Sequence, residues 1–243
     1  MRQLGQQDIP ISDFLPYVLP YVSGCVDIVA LSAIQFAIIE FCNDTDWLLF
    51  RPKGITVGGS ADPYQVALAA AGGQNAPPPY NYEFLPNMPT GYEMVRPLTV
   101  FLNGLQLTPI NLDTVKEVYG LDWQWVTDYP RFWMQQAQNS VNLVPAPSWN
   151  MPEEPLDMIL SARPTLGDPM SAMIDQSLLD TWAEVIAYGA RAKLHAVPNE
   201  PFYNERTSMK FQSMFMVGKG RAKAFRRSGG SPLSMRVRPP KVV

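Results

Sequence analysis

The sequence predicts an α+β fold: a helical bundle formed from N- and C-terminal helices, with an inserted small antiparallel β domain and an extended C-terminal arm. Apolar residues recur at helical spacing near both ends of the 243-residue chain. The middle alternates in the manner of strands and contains an Asn-Gly turn. The last residues follow a Gly-Gly pair and are interrupted by prolines. We therefore expect N-terminal bundle helices in 1–46, the β domain in 47–169, C-terminal bundle helices in 170–228 and the arm in 229–243.

The strongest early helix is predicted over 27–43, after a polar start at 1–10 that we expect to be mobile unless a partner orders it. One apolar stripe of this helix consists of Leu31, Ile34, Ile38, Phe41 and Cys42. A second apolar face consists of Val29, Ala33, Phe36 and Ala37. A helix that is apolar on two sides is expected to pack between other helices.

The clearest strand signal is a hairpin in which 94–102 and 105–110 flank Asn103-Gly104, the preferred two-residue turn. Segment 58–79 resembles a loop, with Gly-Gly pairs and three consecutive prolines. The other elements predicted in this region are a capped helix over 111–119, a hairpin over 132–136 and 140–144, and a strand over 156–162.

Two helices are predicted near the C-terminus. The first starts at a capping-box-like Ser177 to Asp180 and ends before Pro198. The second covers 204–227, with cations on one side and an apolar face on the other. That face is predicted to consist of Phe211, Met214, Phe215, Gly218, Ala222 and Phe225.

Charge is distributed unevenly along the chain. Residues 191–241 contain 12 Lys and Arg against two acidic residues, whereas the rest of the chain holds 7 basic and 20 acidic residues. Only 17% of residues are charged, and 24 are prolines. A surface poor in charge is typical of a subunit covered by its neighbours, and a basic end on an acidic body favours a complementary partner, such as another copy.

The basic side of the last helix is the candidate binding site, and it consists of Lys219, Arg221, Lys223, Arg226 and Arg227. Three interpretations remain open: a solvated helix face, a site for nucleic-acid phosphates, or a site for an acidic protein surface. A strand-like pattern follows and has no hairpin partner in sequence: Ser234, Met235, Arg236, Val237 and Arg238. This strand either adds to a sheet edge of another subunit or belongs to a disordered terminus.

No catalytic or cofactor motif is recognisable, and we expect a protein that is not an enzyme. His195 near a helix end favours a structural role, and no phosphate loop or Gly-x-Ser-x-Gly elbow is present. With one histidine and two cysteines, Cys25 and Cys42, we expect no metal site, no disulfide and no cofactor. We expect no membrane segment, since the run 28–41 carries Ser, Gln and Glu and is too short. Five aromatic residues lie close together in sequence: Trp123, Trp125, Tyr129, Phe132 and Trp133. Acidic residues lie among them, so we expect them to pack in a core or interface and not to stack on nucleic-acid bases.

Several segments, in this order along the chain, resemble tailed-bacteriophage head-to-tail adaptor proteins, also called connector, head-completion or tail tubular proteins. The segments are FLPYVLPYVSGC at 14–25, EFC at 40–42, NGL at 103–105, PRFW at 130–133, LVPAP at 143–147, AYGA at 187–190 and RVRP at 236–239. The chain departs from the family at Ser23, where Pro is usual, and in the long 58–79 segment.

The resemblance implies a structural virion protein that forms a homo-oligomeric ring, usually twelve-fold, beneath the portal at the neck of the particle. The ring would continue the DNA channel without sequence-specific binding and offer a platform to a tail tube or nozzle protein. C-terminal arms would reach the portal and neighbouring subunits, and assembly would take place in the host cytoplasm. The alternative function is a DNA-binding packaging accessory protein that uses the basic C-terminal helix.

Overall fold

The computed structural model describes residues 7–57, 83–84 (backbone only), 88–123, 126–136, 140–148 and 150–227. The chain divides into two compact units. Of the described residues, 7–47 and 164–227 form one unit, which we call the helical unit, and those between 48 and 163 form the other, which we call the β unit. The predicted mixture of helices and largely antiparallel sheets is confirmed.

The described helices and strands alternate in blocks along the chain. In chain order they are β1 (Asp8–Pro10), α1 (Leu15–Val18), α2 (Asp27–Thr45), β2 (Leu48–Phe50), β3 (Thr56–Val57), β4 (Glu83–Phe84), β5 (Tyr92–Leu102), β6 (Leu105–Gln106), β7 (Thr108–Pro109), α3 (Leu112–Tyr119), β8 (Thr127–Asp128), β9 (Phe132–Met134), β10 (Val141–Val144), β11 (Ala146–Pro147), β12 (Glu154–Pro164), β13 (Met173–Asp175), α4 (Gln176–His195) and α5 (Glu205–Arg227). Short 3-10 helices at Ile11–Phe14 and Leu19–Tyr21 flank α1.

The ends of the long helices are fixed by short polar side chains. Asp175, not Ser177 as predicted, caps α4, because its carboxylate accepts from the backbone N–H of Ser177 at 2.9 Å. Asn204 accepts from the N–H of Thr207 at 3.0 Å where α5 begins. At the C-terminal end of α2, Asp46 adopts a left-handed conformation (φ 51°) that stops the helix.

Helices α2, α4 and α5 all pack against one another in the helical unit. Glycines permit the close approach: the Cβ position of Gly189 lies 3.0 Å from both the Ala37 Cβ and the Phe215 ring. The expectation that both apolar faces of α2 are covered is wrong. Ala33 and Ala37 are buried, but Val29 and Phe36 are 43% and 49% exposed, because α4 and α5 cover only one side of the helix.

The N-terminal segment is part of the helical unit. Strand β1 pairs antiparallel with β13, with Ile9 opposite Ile174, so residues 8–10 are ordered by their own chain rather than by a partner. The following turns are held by Arg191 of α4, which is 2% exposed. Its guanidinium donates from Nε to the Tyr17 carbonyl at 3.0 Å and lies 3.7 Å from the centroid of the Tyr21 ring.

The described residues of the β unit form three sheets. Their strand orders are β2-β12-β5-β6 with β3 also on β12, β4-β10-β9-β7, and β11-β8. Both predicted hairpins are present: β5 and β6 are joined through Asn103-Gly104, both with positive φ, and β9 pairs with β10. The β7–β9 and β8–β11 pairs are parallel. The predicted second strand over 105–110 is divided, since β6 pairs with β5 whereas β7 joins β9.

Two apolar clusters form the core of the β unit. The larger includes Val100, Leu143 and Met158, and the smaller surrounds Val115 of α3. The aromatic group predicted from sequence is divided between them: Trp133 belongs to the first, whereas Trp123 belongs to the second. Trp125 lies outside the described residues, as does the segment 58–79.

Helix α2 is long and apolar enough to cross a membrane by length and composition, with 19 residues and a mean hydropathy of 1.3 over its best window. The helix is thus longer than the sequence-based estimate. Of that window, 56% is buried within the fold, and Glu40 forms ion pairs with α4 and α5. These contacts are those of a core helix packed against protein.

Candidate functional site

Helix α5 carries the five predicted helical site residues, and the structure divides them into two groups. Lys219 and Arg226 bind carboxylates of the helical unit. Arg221, Lys223 and Arg227 are exposed. The predicted strand residues Ser234, Met235, Arg236, Val237 and Arg238 lie outside the described residues.

Lys219 is not a surface cation, because it is only 4% exposed. Its Nζ lies 2.8 Å from Glu40 Oε1 and 2.6 Å from Asp44 Oδ2, and 4.6 Å from the centroid of the Phe215 ring. Burial alone would lower the pKa of Lys219, but the hydrogen bonds to Asp44 and Glu40 outweigh it, so the pKa is raised. The sequence prediction that Lys219 is open to a partner is therefore wrong.

Glu40 joins all three long helices at one point. Its Oε2 accepts from Lys193 of α4 at 2.7 Å, and its Oε1 accepts from Lys219 of α5. Burial would raise the pKa of Glu40, but the hydrogen bonds from Lys193 and Lys219 overcome this effect and lower the pKa. Glu40 thus links α2 to both α4 and α5, and the net stabilisation from such partly buried pairs is small because desolvation offsets much of the attraction.

Arg226, near the end of α5, also pairs with a carboxylate of the helical unit. Its guanidinium lies 3.1 Å from the carboxylate of Asp46 and donates to the Thr45 carbonyl at 3.4 Å. Arg226 thereby satisfies the end of α2, where backbone carbonyls lack helical partners. Beside it, the Phe225 ring lies 5.9 Å from Trp47, although Phe225 is still 40% exposed. The predicted apolar face of α5 therefore ends at Ala222.

The remaining three cations form an exposed basic end on α5. Arg221, Lys223 and Arg227 make no ion pair with any residue that the structure describes. Lys223 and Arg227 are four residues apart and so project from the same side of the helix. This end directly precedes the arm at 229–243.

The same unit exposes much apolar surface. Of the 19 large hydrophobic residues exposed among those described, four lie in the β unit and the other 15 in the helical unit. On α5 these include Met209 and Met216, which are seven residues apart, and Val217. On α2 they include Val29 and Phe36, also seven residues apart. Exposed large hydrophobic residues of this number make the helical unit the candidate surface for association with other proteins.

The start of α2 adds acidic side chains to its exposed apolar ones. Val26, Ile28 and Val29 are 65%, 49% and 43% exposed, and Asp27 lies between them. Glu200 is exposed in the turn that connects α4 to α5. It lies at the same end of the unit, because Trp182 at the start of α4 packs on Phe41 near the end of α2 and the two helices therefore run antiparallel. Burial, then Glu200, then Asp27 raise the pKa of the Cys25 thiol. This part of the unit is therefore apolar and negatively charged.

The single histidine and the two cysteines are the residues that the sequence offered for catalysis or metal binding. His195 is buried, its Nδ1 lies 2.6 Å from the Phe202 carbonyl, and its ring stacks on Phe211 with centroids 5.8 Å apart; this is a structural role. Cys25 and Cys42 are both thiols and are not joined in a disulfide. Within the described ranges, His, Cys, Asp and Glu form no group of three or more that could hold a metal ion.

Sequence reasoning missed Arg191, the most deeply buried cation described. The signal was present, because Arg191 interrupts an apolar stretch between Ala190 and Ala192 on the inner side of α4. A cation placed there needs acceptors for its buried N–H groups. The structure supplies the Tyr17 carbonyl and, at 3.2 Å, the half-exposed carboxylate of Glu184.

No family model matches the chain, and no curated protein matches it.

Proposed function

We propose that this chain is a structural virion protein, the head-to-tail adaptor that forms a ring beneath the portal of a tailed bacteriophage. The observation that carries the proposal is the concentration of exposed apolar residues on the helical unit. Surface of this kind is covered when copies stand side by side in a ring. The resemblance of the sequence to adaptor proteins supplies the identity of the ring.

In this proposal α2, α4 and α5 form the bundle that makes the ring wall, and the β unit is its insertion. The arm at 229–243 extends from the end of α5 to the portal or a neighbouring subunit. Its residues Ser234 to Arg238 add as a strand to a sheet edge there. Arg221, Lys223 and Arg227 lie next to the arm and meet acidic groups of the same partner.

The ring, of twelve copies by resemblance, continues the channel through which DNA leaves the head. An acidic body favours passage of DNA without sequence-specific binding, because carboxylates repel phosphates. The other face of the ring receives the tail tube or nozzle protein. The role needs no catalysis and no cofactor, and it places the protein at the neck of the virion after assembly in the host cytoplasm.

Two experiments test the proposal. Electron microscopy of the protein mixed with the portal of its phage should show a closed ring attached to the portal. A truncation that lacks 229–243 should fold and remain in solution but fail to join filled heads. Normal attachment of the truncated protein to heads would remove the arm from the mechanism, and absence of any ring on the portal would refute the adaptor function.

The exposed basic end favours a second candidate, a DNA-binding packaging accessory protein. Arg221, Lys223 and Arg227 would contact phosphates, and three such contacts give a slope of about −3 in log affinity against log salt. A salt titration of DNA affinity decides between the candidates. A steep slope supports the accessory protein, whereas negligible binding at low salt supports the adaptor.

A further inference from the structure

Two exposed surfaces of the helical unit combine apolar side chains with charges of opposite sign. The acidic surface consists of Val26, Asp27, Ile28, Val29 and Glu200. The basic surface consists of Met216, Gly220, Lys223 and Arg227. The spacing of the latter four residues places them on one face of α5, and all four are exposed.

The charged side chains of the two surfaces lie at opposite ends of the helical unit. Arg226 binds Asp46 at 3.1 Å and Phe225 contacts Trp47, so α5 ends beside the end of α2. The acidic surface lies at the beginning of α2. Asp27 is 18 residue steps from the last residue of this helix, which is about 27 Å at 1.5 Å per residue. The two surfaces therefore cannot satisfy each other within one copy.

We propose that the acidic surface of one copy binds the basic surface of the next, in a repeated head-to-tail contact. Each surface repels its own kind, which disfavours a two-fold dimer through either one. A contact between two different surfaces repeats from copy to copy and closes into a ring when the rotation permits. This inference rests on the proposed ring function and names the surfaces that form the ring.

Charge reversal tests the contact directly. Asp27→Lys/Glu200→Lys makes both surfaces of a copy basic, and Lys223→Glu/Arg227→Glu makes both acidic. For each variant alone, the dissociation constant of self-association, measured by sedimentation, should rise at least tenfold. An equimolar mixture should assemble again, because every contact between the two variants joins opposite charges.

A matched control and a folding check accompany these variants. Lys53→Glu/Lys116→Glu lowers the net charge by as much as Lys223→Glu/Arg227→Glu does, at exposed positions of the β unit, and it should assemble as the wild type does. Far-UV circular dichroism should show unchanged helicity in all of them. Asp27→Asn/Glu200→Gln, which only neutralises the surface, should show an intermediate loss.

Cys25 reports on the same contact without any change of charge. It adjoins the acidic surface and is partly exposed, whereas Cys42 is buried. Labelling of Cys25 by a maleimide should therefore slow as protein concentration rises, and it should not slow in Lys223→Glu/Arg227→Glu.

The outcomes separate this inference from the proposed function. Wild-type rings that survive both charge reversals would overturn the inference and leave the adaptor function standing. A wild-type protein that stays monomeric up to its solubility limit, with constant Cys25 labelling, would also overturn it. The adaptor function fails if no ring forms on the portal.

Discussion

Two glycines in α5, two residues apart, should respond oppositely to replacement by alanine. A Cβ on Gly218 would lie 2.4 Å and 2.7 Å from the two Cγ atoms of Val185 on α4, whereas a Cβ on Gly220 would meet nothing within 4 Å. Carbon atoms in ordinary contact are about 3.5–4.0 Å apart, so Gly218→Ala requires a displacement of about 1 Å. Valine cannot turn away at low cost, because its χ1 is restricted in a helix.

The expected free energies follow from two effects. Alanine in place of glycine in a helix gains up to about 1 kcal/mol at either position. Overpacking between α4 and α5 costs about 1–3 kcal/mol, and it applies to Gly218→Ala only. Gly220→Ala should therefore stabilise the protein by about 0.5–1 kcal/mol, and Gly218→Ala should be about 1–3 kcal/mol less stable than Gly220→Ala.

Urea unfolding followed by far-UV circular dichroism measures this difference, since the long helices dominate the signal. The double variant Gly218→Ala/Val185→Ala removes both obstructing methyl groups. Its two changes should be non-additive, with a favourable coupling of at least 0.5 kcal/mol. Equal stability of Gly218→Ala and Gly220→Ala would refute the close contact of α4 and α5 at this point.

Three further predictions concern stability. Lys219→Met leaves two partly exposed carboxylates without their shared cation. It should lower the free energy of unfolding by about 2 kcal/mol, less than the 3–5 kcal/mol lost when a fully buried pair is broken. As a control, Lys210→Met at an exposed position of the same helix should change the free energy of unfolding in urea by less than about 0.5 kcal/mol. Because its folded-state pKa is lowered, Glu40 should stabilise the fold above its ordinary pKa of about 4.3 and lose this effect as pH falls through the folded-state value. Urea titrations from pH 6 to about pH 3 should show that the free energy of unfolding declines less in Glu40→Gln than in the wild type. An equal decline in both proteins would contradict the pairing of Glu40 with Lys193 and Lys219. Gly104→Val places a β-branched residue at φ 76° in the β5–β6 turn, which should lower the thermal midpoint, and no loss in a melting curve would rule out this turn.

Local sequence signals were sufficient where the structure depends on neighbouring residues. The Asn103-Gly104 turn fixed one hairpin, and Asn111 capped α3 as expected, with its side chain 2.8 Å from the N–H of Thr114. Periodicity placed α2, α4 and α5 within a few residues of their observed bounds. These features require only the geometry of a single helix or turn.

The misplaced residues depend on contacts distant in sequence. The pattern of α5 shows Lys219 among other cations, but its burial depends on Glu40 and Asp44, which are 179 and 175 residues away along the chain. Likewise, the pattern of α2 shows two apolar faces, and only the positions of α4 and α5 determine that Phe36 is left exposed. A periodic pattern identifies a face but does not identify what covers it.

The internal pairs change how the basic end of the chain should be understood. Lys193, Lys219 and Arg226 contribute to the excess of positive charge after residue 190, yet each binds a carboxylate of α2 or of the residue that ends it. Their charge is thus used to hold α4 and α5 against α2, and it is not available to a partner. What remains on the described part of α5 is a smaller, fixed group around Lys223 and Arg227. Because the buried pairs set the position of α5, this group is presented at a defined place, which a repeating contact between identical copies requires.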